Sequence, residues 1–555
     1  MEAIRVGRKH LGGVLPSRRE AIAALAGLPA LAAFLEACGP GAAKEPRFEG
    51  EIVGGSSGVG HRLLAGDLWQ RPVARTERVT VAILGGGIAG LSAALTLSDA
   101  GIGATVYESS DRVGGRMYTD RSGYWANGQI SEWGGELIDQ GHKTILSLAQ
   151  RFRLDVTSLA AAEVNGSEPT FFFDGAYYPK ADADRDFQAV HNALQGDVQA
   201  ASYPTTWDTQ TDGGRFLDAH SVYEWIELRV PGGHASPMGQ LLDAAYNIEY
   251  GAETTDQSAL NLVYLLGYGA KPGNFQVFGA SNEKYHIDGG NERLPQAIAQ
   301  ALDARQPGTI RTGMRLASIA QSGGAYSLVF TRAGGTTTIT ADRVILALPF
   351  AVLRTLDYRK AGFDDLKKLA VASLGAGRNA KLQLQFGTRF WNGTGAWPGV
   401  SNGETYADTG YQNTWEVSRG QLGLSGILVD YTGGDVAGRF KASAPFTTVA
   451  TNSGVAKYAG TFLRQIELVL PGATARWNGR ASLSIPFADP NFNLAYSYWR
   501  VGQYTTIAGY EGVRQGRVHF AGEHTAVDFQ GYMEGGAITG VRAANEILDD
   551  LKRGL

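Results

Sequence analysis

The stretch Val79–Gly90 reads VTVAILGGGIAG and decides the fold of this chain. Its aliphatic and β-branched first half predicts a strand, and Gly85, Gly87 and Gly90 follow in the spacing G-x-G-x-x-G. The first glycine allows a tight turn, the second lets backbone N–H groups approach a pyrophosphate, and the third lets a helix pack closely on the strand. Leu91–Ala100 continues with helix-forming Ala and Leu. The pattern predicts strand, turn and helix, with a dinucleotide diphosphate at the helix N-terminus.

An acidic residue follows the next predicted strand. Ala104–Tyr107 is mostly apolar, and Glu108 comes directly after it. An acid at this strand end accepts a hydrogen bond from a ribose hydroxyl, which favours the unphosphorylated adenosine ribose of FAD or NAD over that of NADP. The alternative is a glycine-rich turn that binds no ligand. The ordered series of strand, turn, helix, strand and acid favours the dinucleotide.

A second glycine motif, DRVGGR at Asp111–Arg116, comes soon after that strand. Its glycine pair, with Arg112 and Arg116, can bring N–H groups and a guanidinium to phosphate oxygens. With this motif the sequence resembles the flavin-containing amine oxidase family, which includes monoamine oxidases, polyamine oxidases and L-amino-acid oxidases. The resemblance implies FAD as the cofactor. It extends over most of the chain through motifs at 83–91, 108–116, 130–139, 344–354 and 518–542.

The resemblance implies an α/β fold in which a discontinuous Rossmann-like FAD-binding domain is interleaved with an α+β substrate-binding domain. We expect the FAD-binding domain to comprise residues 77–148, 284–348 and 485–555. We expect the substrate-binding domain to comprise residues 149–283 and 349–484. The periodicity of the sequence agrees, because 145–279 contains amphipathic helical stretches and 310–348 alternates as a β-meander that ends in a buried strand.

The last motif of the chain predicts a strand and a glycine-rich helix. RVHFAGEHT at Arg517–Thr525 indicates the strand, and Gly531–Ile547 has apolar residues at helical spacing. Gly535, Gly536 and Gly540 each cost the helix roughly 1 kcal/mol relative to alanine. Their presence indicates that another element or the cofactor comes close. A helix N-terminus at the flavin pyrimidine edge would favour the negative charge of the reduced cofactor.

The family's cofactor contacts map onto this sequence position by position. Glu523 corresponds to the acid that binds the ribityl chain, and Tyr532 to one catalytic wall of an aromatic cage that faces the flavin. Both lie in the pattern G-E-H-T…G-Y-M-E-G. The full set of implied contacts is Gly85, Gly87, Ala89, Gly90, Glu108, Gly115, Arg116, Gly134, Gly135, Met314, Gly522, Glu523, Gly531, Tyr532 and Met533.

Two further catalytic positions stay open at this point. Many family members carry a lysine that holds a water against flavin N5, and the corresponding position here is Thr355. Either Lys381 or Lys360 takes this role, or this subgroup manages without it. The stretch AYSYWRVGQ at Ala495–Gln503 resembles the loop beside the isoalloxazine ring and makes Trp499 the candidate aromatic residue there. A tryptophan of the core is the alternative.

Two acids are candidate substrate ligands. Glu136 and Asp139 belong to the segment that enters the substrate cavity in the resembled family, where they would face an amine together with Tyr532. Solvation at the surface is the alternative for both acids. Leu137 stands where venom-type L-amino-acid oxidases carry an arginine, which argues against an α-amino acid bound in that way. An acidic entrance favours a diamine or a basic amino acid, while monoamines and polyamines stay open.

The resemblance implies a small-molecule amine and O2 as partners. Hydride would pass from the α-carbon of the amine to flavin N5, the imine would hydrolyse, and dioxygen would reoxidise the flavin to give hydrogen peroxide. A flavoenzyme of the same fold that acts on C–C bonds, such as a carotenoid desaturase or a protoporphyrinogen oxidase, is one alternative. An exported binding lipoprotein that has lost catalysis is another.

The composition is that of a globular protein. The net charge is −4 and 44% of residues are hydrophobic, so there is no basic excess that would indicate nucleic acid binding. No internal stretch is long and apolar enough to span a membrane. Cys38 is the only cysteine, which excludes an internal disulfide and makes non-covalent FAD the expectation. We expect no metal site.

The N-terminus resembles an export signal. Arg18 and Arg19 precede the short apolar segment Ala21–Leu35, a pattern similar to a Tat address, and the residues up to Cys38 resemble a lipoprotein cleavage site. A buried amphipathic helix is the alternative. Export would make the enzyme periplasmic or attached to the cell surface, with membrane contact only through the signal or a lipid on Cys38. The expected segments are a signal peptide over 1–38 and a tether over 39–76.

Overall fold

The computed structural model describes residues 79–555. The predicted signal peptide with Arg18, Arg19 and Cys38, and the tether over 39–76, therefore lie outside the described residues. Within the described part of the chain, no helix combines the length and the apolar character needed to cross a bilayer.

A five-stranded parallel sheet carries the glycine fingerprint. Val81–Leu84 is buried at every position, as expected for a strand of a parallel sheet whose two faces are both covered. All five strands fall within the segments predicted for the FAD-binding domain. In spatial order they are Val518–Phe520, Arg343–Leu346, Val81–Leu84, Ala104–Tyr107 and Ile310–Arg311.

The predicted strand, turn and helix at the fingerprint are confirmed. The helix spans Ile88–Asp99 and so begins before the predicted Leu91. The next strand has the predicted bounds, Ala104–Tyr107. Gly85 adopts a φ of +111°, and a Cβ at this residue would lie 2.5 Å from the carbonyl oxygen of Ala347. Only glycine allows this turn.

The C-terminal helix, Met533–Lys552, packs directly on the fingerprint helix. A Cβ at Gly540 would lie 2.1 Å from the carbonyl oxygen of Ala89. A Cβ at Gly535 would lie 2.0 Å from the carbonyl oxygen of Phe529. The predicted close approach at these two glycines is confirmed, and the approaching atoms belong to the protein backbone.

An eight-stranded mixed sheet forms the second layer of the molecule. It is mixed because Ser401–Ala407 pairs in parallel with Glu168–Phe173, whereas the other neighbours are antiparallel. All its strands fall within the segments predicted for the substrate-binding domain. In spatial order they are Phe446–Thr448, Trp477–Ser484, Asn379–Phe386, Gly426–Gly433, Asn413–Glu416, Ser401–Ala407, Glu168–Phe173 and Ala176–Tyr178.

The strand Asn379–Phe386 joins this sheet to the FAD-binding part. Its alternate residues Ala380, Leu382, Leu384 and Phe386 belong to a hydrophobic core. The intervening side chains are polar but buried, and they bind the main chain of residues 126–136. Gln385 donates to the carbonyl of Ala126, Gln383 to that of Glu132 and Lys381 to that of Gly134. Because side chains alternate along a strand, the polar residues Lys381, Gln383 and Gln385 all face the contact between the mixed sheet and the FAD-binding part.

The predicted β-meander is present, with one difference. The stretch 310–319 does not form one strand, because the chain turns at Gly313, which has a φ of +66°. Ile310–Arg311 joins the parallel sheet instead. The meander and the strand beside it have the order Gly335–Ala341, Ala325–Arg332, Arg315–Ser322 and Asp357–Lys360.

The remaining elements are helices and short strand pairs. The helices include Lys143–Arg151, Lys180–Ala201, Asp212–Asp218, Val222–Arg229, Pro237–Tyr250, Ala259–Gly267, Arg293–Arg305, Phe350–Leu353, Asp365–Ser373, Gly434–Ala437, Gly454–Ile466 and Ala473–Arg476. The strand pairs are Thr119–Asp120 with Ser131–Glu132, Val156–Ser158 with Tyr285–Ile287, and Gly375–Ala376 with Ser497–Tyr498. Together these layers give the predicted α/β fold.

Candidate active site

A cavity of about 420 Å³ lies between the carboxyl ends of the parallel strands and the mixed sheet. The parallel sheet contributes the turns after its strands, including Gly85, Ala347 and Gly522. The mixed sheet contributes side chains such as Lys381 and Tyr431. Ligands of open α/β sheets bind at this edge.

The dinucleotide end of the cavity has a fixed acceptor and an open floor. The Glu108 carboxylate accepts hydrogen bonds from the backbone N–H groups of Gly86, at 2.6 Å, and Ser110, at 2.8 Å. These bonds orient it at the cavity surface. Gly87, Ala89 and Gly115 also line the cavity. A Cβ at Gly87 would point to the backbone of Gly115, so both glycines keep this floor open for a bulky group.

Two residues predicted to contact the cofactor lie away from the cavity surface. Gly90 lies between helix and strand, where a Cβ would be 2.0 Å from the carbonyl oxygen of Gly85. Met314 donates its backbone N–H to the carbonyl of Glu108 at 2.7 Å, and its side chain packs against the hydrophobic core. Both residues support the turns that line the cavity.

Arg116 and Glu523, predicted as separate cofactor contacts, form one ion pair of 2.9 Å. The Arg116 guanidinium also donates to the carbonyl of Ala495. Glu523 accepts from the N–H of Gly531 at 2.9 Å and from the Ser497 hydroxyl at 3.1 Å. Burial raises the pKa of Glu523, but the Arg116 charge and these hydrogen bonds outweigh it and hold the pKa below its usual value. The pair keeps the carboxylate ionised at the cavity wall.

The glycine pair Gly134–Gly135 lies between this ion pair and the C-terminal helix. A Cβ at Gly134 would lie 1.9 Å from the carbonyl oxygen of Arg116, and one at Gly135 would lie 3.0 Å from the sulfur of Met533. Both glycines and Met533 line the cavity. The predicted close approach of backbone at this segment is therefore present.

Lys381 and Glu136 meet inside the cavity. The Lys381 ammonium donates to a Glu136 carboxylate oxygen at 2.7 Å and to the carbonyl of Gly134 at 2.8 Å. The other Glu136 oxygen accepts from the Trp415 indole at 2.9 Å. Glu136 is therefore occupied by protein partners.

The other two positions considered for the lysine are not in the cavity lining. The Thr355 hydroxyl bonds the carbonyl of Val352 at 2.7 Å, at the end of a short helix. Lys360 is exposed, at the end of the strand Asp357–Lys360. Of the three candidates, only Lys381 reaches the cavity.

Three of the aromatic residues that line the cavity are held by hydrogen bonds of their hydroxyl groups: Tyr431, Tyr496 and Tyr532. The Tyr496 hydroxyl donates to the carbonyl of Ile248 at 2.9 Å, so the Tyr431 hydroxyl donates to Tyr496, at 2.8 Å. The Tyr532 hydroxyl donates to Glu249 at 3.1 Å. These bonds fix the three phenol groups.

The structure favours the alternative for Trp499, a tryptophan of the core. Its ring is 4% exposed, packs against Tyr504 and donates its indole N–H to Glu511 at 2.8 Å, away from the cavity. Tyr496 from the same stretch faces the cavity instead. Side chains alternate along extended backbone, and the three closely spaced aromatic residues of this stretch do not reveal the register that turns Tyr496 toward the cavity.

Five carboxylates that line the cavity were not indicated by the sequence. Glu163 and Glu416 pair with Arg419 and Arg389, which leaves Glu249, Glu283 and Glu404. None of the ion pairs found among residues 79–555 involves them. Desolvation raises the pKa of Glu249 to about 8 and also raises the pKa of Glu404. The one available signal was Glu249 near the end of the apolar helix Pro237–Tyr250, adjacent to Tyr250 and three residues after Tyr246.

Asp139, predicted as a substrate ligand, does not line the cavity. Its two carboxylate oxygens accept from the backbone N–H of Glu283 at 2.7 Å and the hydroxyl of Ser281 at 2.8 Å. The predicted site residues therefore divide into those that line the cavity and those that support its walls. Asp139, Gly90 and Met314 belong to the second group, whereas Thr355 is exposed and Trp499 lies in the core.

Comparison with known proteins identifies relatives over most of the chain. A sequence profile described as flavin containing amine oxidoreductase matches residues 88–548. Lysine-specific histone demethylase 1 homolog 2 of Arabidopsis thaliana is 25% identical over 84% of this chain, which spans 58% of that protein. Polyamine oxidase 2 of the same plant is 24% identical, and the match covers 85% of this chain and 88% of that protein. The solved structure of cyclohexylamine oxidase from Brevibacterium oxydans IH-35A has a TM-score of 0.71 at 19% identity, covering 86% of this chain and 100% of that one.

Proposed function

This chain belongs to the flavin-containing amine oxidoreductase family, and we propose that its substrates are amines with a second positive charge, such as diamines or polyamines. As a member of the family it is an oxidoreductase that acts on amines and uses FAD. The observation that carries the proposal is the set of cavity carboxylates without basic partners, Glu249, Glu283 and Glu404.

Charge balance in the cavity supports a dicationic substrate. Lys381 neutralises Glu136, and Arg419 pairs with Glu163. Of the three remaining carboxylates, Glu249 and Glu404 have raised pKa values because the surrounding protein removes water that would stabilise their charge. Glu283 lies at the solvent end of the cavity. A ligand with two ammonium groups would supply the missing opposite charge. The acids expected to select the substrate, Glu136 and Asp139, are engaged by the protein, and these three take their place.

The residues present fit FAD. The open floor at Gly87 and Gly115 and the N-terminus of Ile88–Asp99 suit a pyrophosphate. Glu108 suits a ribose hydroxyl, and the pair of Arg116 and Glu523 suits the hydroxyl groups of a ribityl chain. Bound FAD would supply a hydride acceptor for the amine α-carbon, with an imine left for hydrolysis and O2 as the oxidant that is reduced to hydrogen peroxide.

The chain's own residues bind and orient the amine. Tyr496 and Tyr532 present fixed ring faces that can hold an ammonium by cation–π attraction before it loses its proton. The ring of Trp415 lies 5.5 Å from the Lys381 ammonium. Lys381 has two acceptors in the protein and a third proton to donate into the cavity, so we assign to it the water-holding role of the family lysine.

This assignment bears on the alternative of an inactive binding protein. That alternative depended on the absence of a lysine near Thr355, and Lys381 in the cavity removes its basis. Export also remains a proposal: the twin arginines Arg18 and Arg19 direct the folded enzyme out of the cytoplasm, and Cys38 is the expected lipid attachment point.

Steady-state kinetics test the substrate class. The specificity constant for a diamine is compared with that for the alkylamine of equal length, by measuring peroxide formation. One close ion pair in a partly desolvated site is worth about 1–3 kcal/mol, or roughly 5- to 150-fold. We expect a preference for the diamine in that range. A preference for the alkylamine would make an aromatic or aliphatic monoamine the better assignment.

A further inference from the structure

Glu283 occupies an unusual position at the solvent end of the cavity. Its side chain lines the cavity and is accessible to water. Its backbone has a φ of +43°, in the left-handed region that non-glycine residues seldom adopt. Such conformations persist only where surrounding contacts impose them, and they cluster at binding sites.

The contact that imposes this conformation is Asp139. One of its carboxylate oxygens accepts the backbone N–H of Glu283 at 2.7 Å. The other accepts the hydroxyl of Ser281 at 2.8 Å. Asp139 therefore holds the segment 281–283 at both of its ends.

Asp139 is itself held by the start of the helix Lys143–Arg151. Its backbone N–H donates to Nδ1 of His142 at 3.0 Å, and its carbonyl accepts the N–H of His142. His142 is 1% exposed and lies edge-on to the Tyr532 ring at 5.2 Å. The same turn thus supports the ring that faces the cofactor and the segment that carries Glu283.

The other cavity carboxylates are less suited to an outer cation. Glu249 receives the Tyr532 hydroxyl and so lies toward the cofactor end. Burial raises the pKa of Glu404, and the positive charge of Arg419 offsets part of this rise. Glu404 therefore already has a nearby cation. The charges that act most strongly on the Glu283 carboxyl are those of the carboxylates Asp139, Glu249, Glu404 and Glu136.

We infer that Glu283 binds the distal ammonium of the substrate and that Asp139 is the positioning residue that holds Glu283 in place. The inference rests on the proposed dicationic substrate. On this inference Asp139 does not contact the substrate, and it affects substrate selectivity through the position of Glu283.

A double-mutant cycle tests the inference. The measured quantity is the specificity constant for a diamine divided by that for the alkylamine of equal length, in Glu283→Gln, Asp139→Asn and the double variant. We expect Glu283→Gln to lower this ratio at least 5-fold, through KM for the diamine, and Asp139→Asn to lower it as well. In the Glu283→Gln background, Asp139→Asn should change the ratio less than about 1.5-fold.

Controls separate positioning from general damage. Asp212→Asn alters a side chain that is 98% exposed and should leave the ratio unchanged. If Asp139→Asn does not fold with its flavin, Ser281→Ala removes only one of the two bonds and replaces it in the cycle. An unchanged ratio in Glu283→Gln would overturn the inference while the dicationic substrate stands. Additive effects of the two substitutions would overturn the role of Asp139, and a parent enzyme without diamine preference would overturn both proposals.

Discussion

The Lys381 ammonium and the Glu136 carboxylate lie 2.7 Å apart inside the cavity, although the residues are far apart in the sequence. Lys381 comes from the mixed sheet, and Glu136 from the segment that follows the second glycine motif. Their pairing joins the two parts of the molecule inside the cavity.

Replacement of this lysine tests its assignment. In Lys381→Met the cavity loses its cation and Glu136 is left without its partner, so we expect turnover to fall by roughly 100-fold. Lys360→Met is the matched control, because that side chain is exposed, and its turnover should equal that of the parent. Turnover and FAD content are measured for each variant. Normal turnover in Lys381→Met with loss in Lys360→Met would reverse the assignment.

The pH dependence of amine oxidation follows from Glu249, which lies toward the cofactor end of the cavity. Its pKa is raised to about 8 by desolvation, so the carboxyl is neutral well below pH 8 and ionised above it. The measured quantity is the specificity constant of the parent divided by that of Glu249→Gln for the same alkylamine, because this quotient cancels the proton lost from the reacting amine. We expect the quotient to rise about tenfold between pH 6 and pH 9. A quotient independent of pH would exclude this carboxylate from substrate binding.

The same group has the opposite effect on stability. A carboxyl with a raised pKa binds more protons in the folded state than in the unfolded state between about pH 4.5 and pH 8. Stability of the ligand-free protein therefore falls as pH rises through this window. Melting curves of the parent and Glu249→Gln should diverge in that range, with the variant losing less stability.

The contact between the fingerprint helix Ile88–Asp99 and the C-terminal helix gives a prediction about stability. In Gly540→Ala the new methyl group would lie 2.1 Å from the carbonyl oxygen of Ala89, so the helices must separate. We expect a loss of about 1–3 kcal/mol of unfolding free energy and weaker FAD retention. Gly196→Ala is the control: it lies in the helix Lys180–Ala201 with open space around its Cα and should gain up to about 1 kcal/mol. Equal stability of the two variants in denaturant titrations would contradict the packing argument.

Export is predicted from the N-terminal residues alone. Replacing Arg18 and Arg19 by lysine should retain active, FAD-loaded enzyme in the cytoplasm, because signals that resemble this one carry proteins that fold and bind cofactor before transport. Cell fractionation with an activity assay measures the distribution. Continued appearance of the variant outside the cytoplasm would rule out the Tat route.

Local patterns with a fixed geometric meaning were predictable. The glycine spacing from Gly85 to Gly90, the strand before Glu108 and the glycine-rich C-terminal helix each specify backbone conformation over neighbouring residues, and the structure has them. The register of extended segments was harder to predict. Tyr496 and Trp499 are close in sequence, and tertiary packing decides which of them faces the cavity.

Contacts between distant segments could not be predicted from the sequence. Nothing in the spacing brings Glu249, Glu283 and Glu404 to one cavity, because they come from a helix, a loop and a strand whose arrangement depends on the whole fold. The direction of the Asp139 side chain was equally unpredictable from the sequence. Its position near the cavity was expected, but its two bonds to the segment 281–283 direct its carboxylate into the protein.

Anaerobic mixing is the most direct test of the central claim that this chain oxidises dicationic amines with FAD. The purified, FAD-loaded protein is mixed without oxygen with a diamine, an alkylamine of equal length, a polyene and a porphyrinogen, and the flavin absorption band is followed. The account predicts that the diamine bleaches the band fastest and at the lowest concentration, and that oxygen restores the colour with release of peroxide. Bleaching only by the polyene or the porphyrinogen, or no bleaching by any amine, would contradict it.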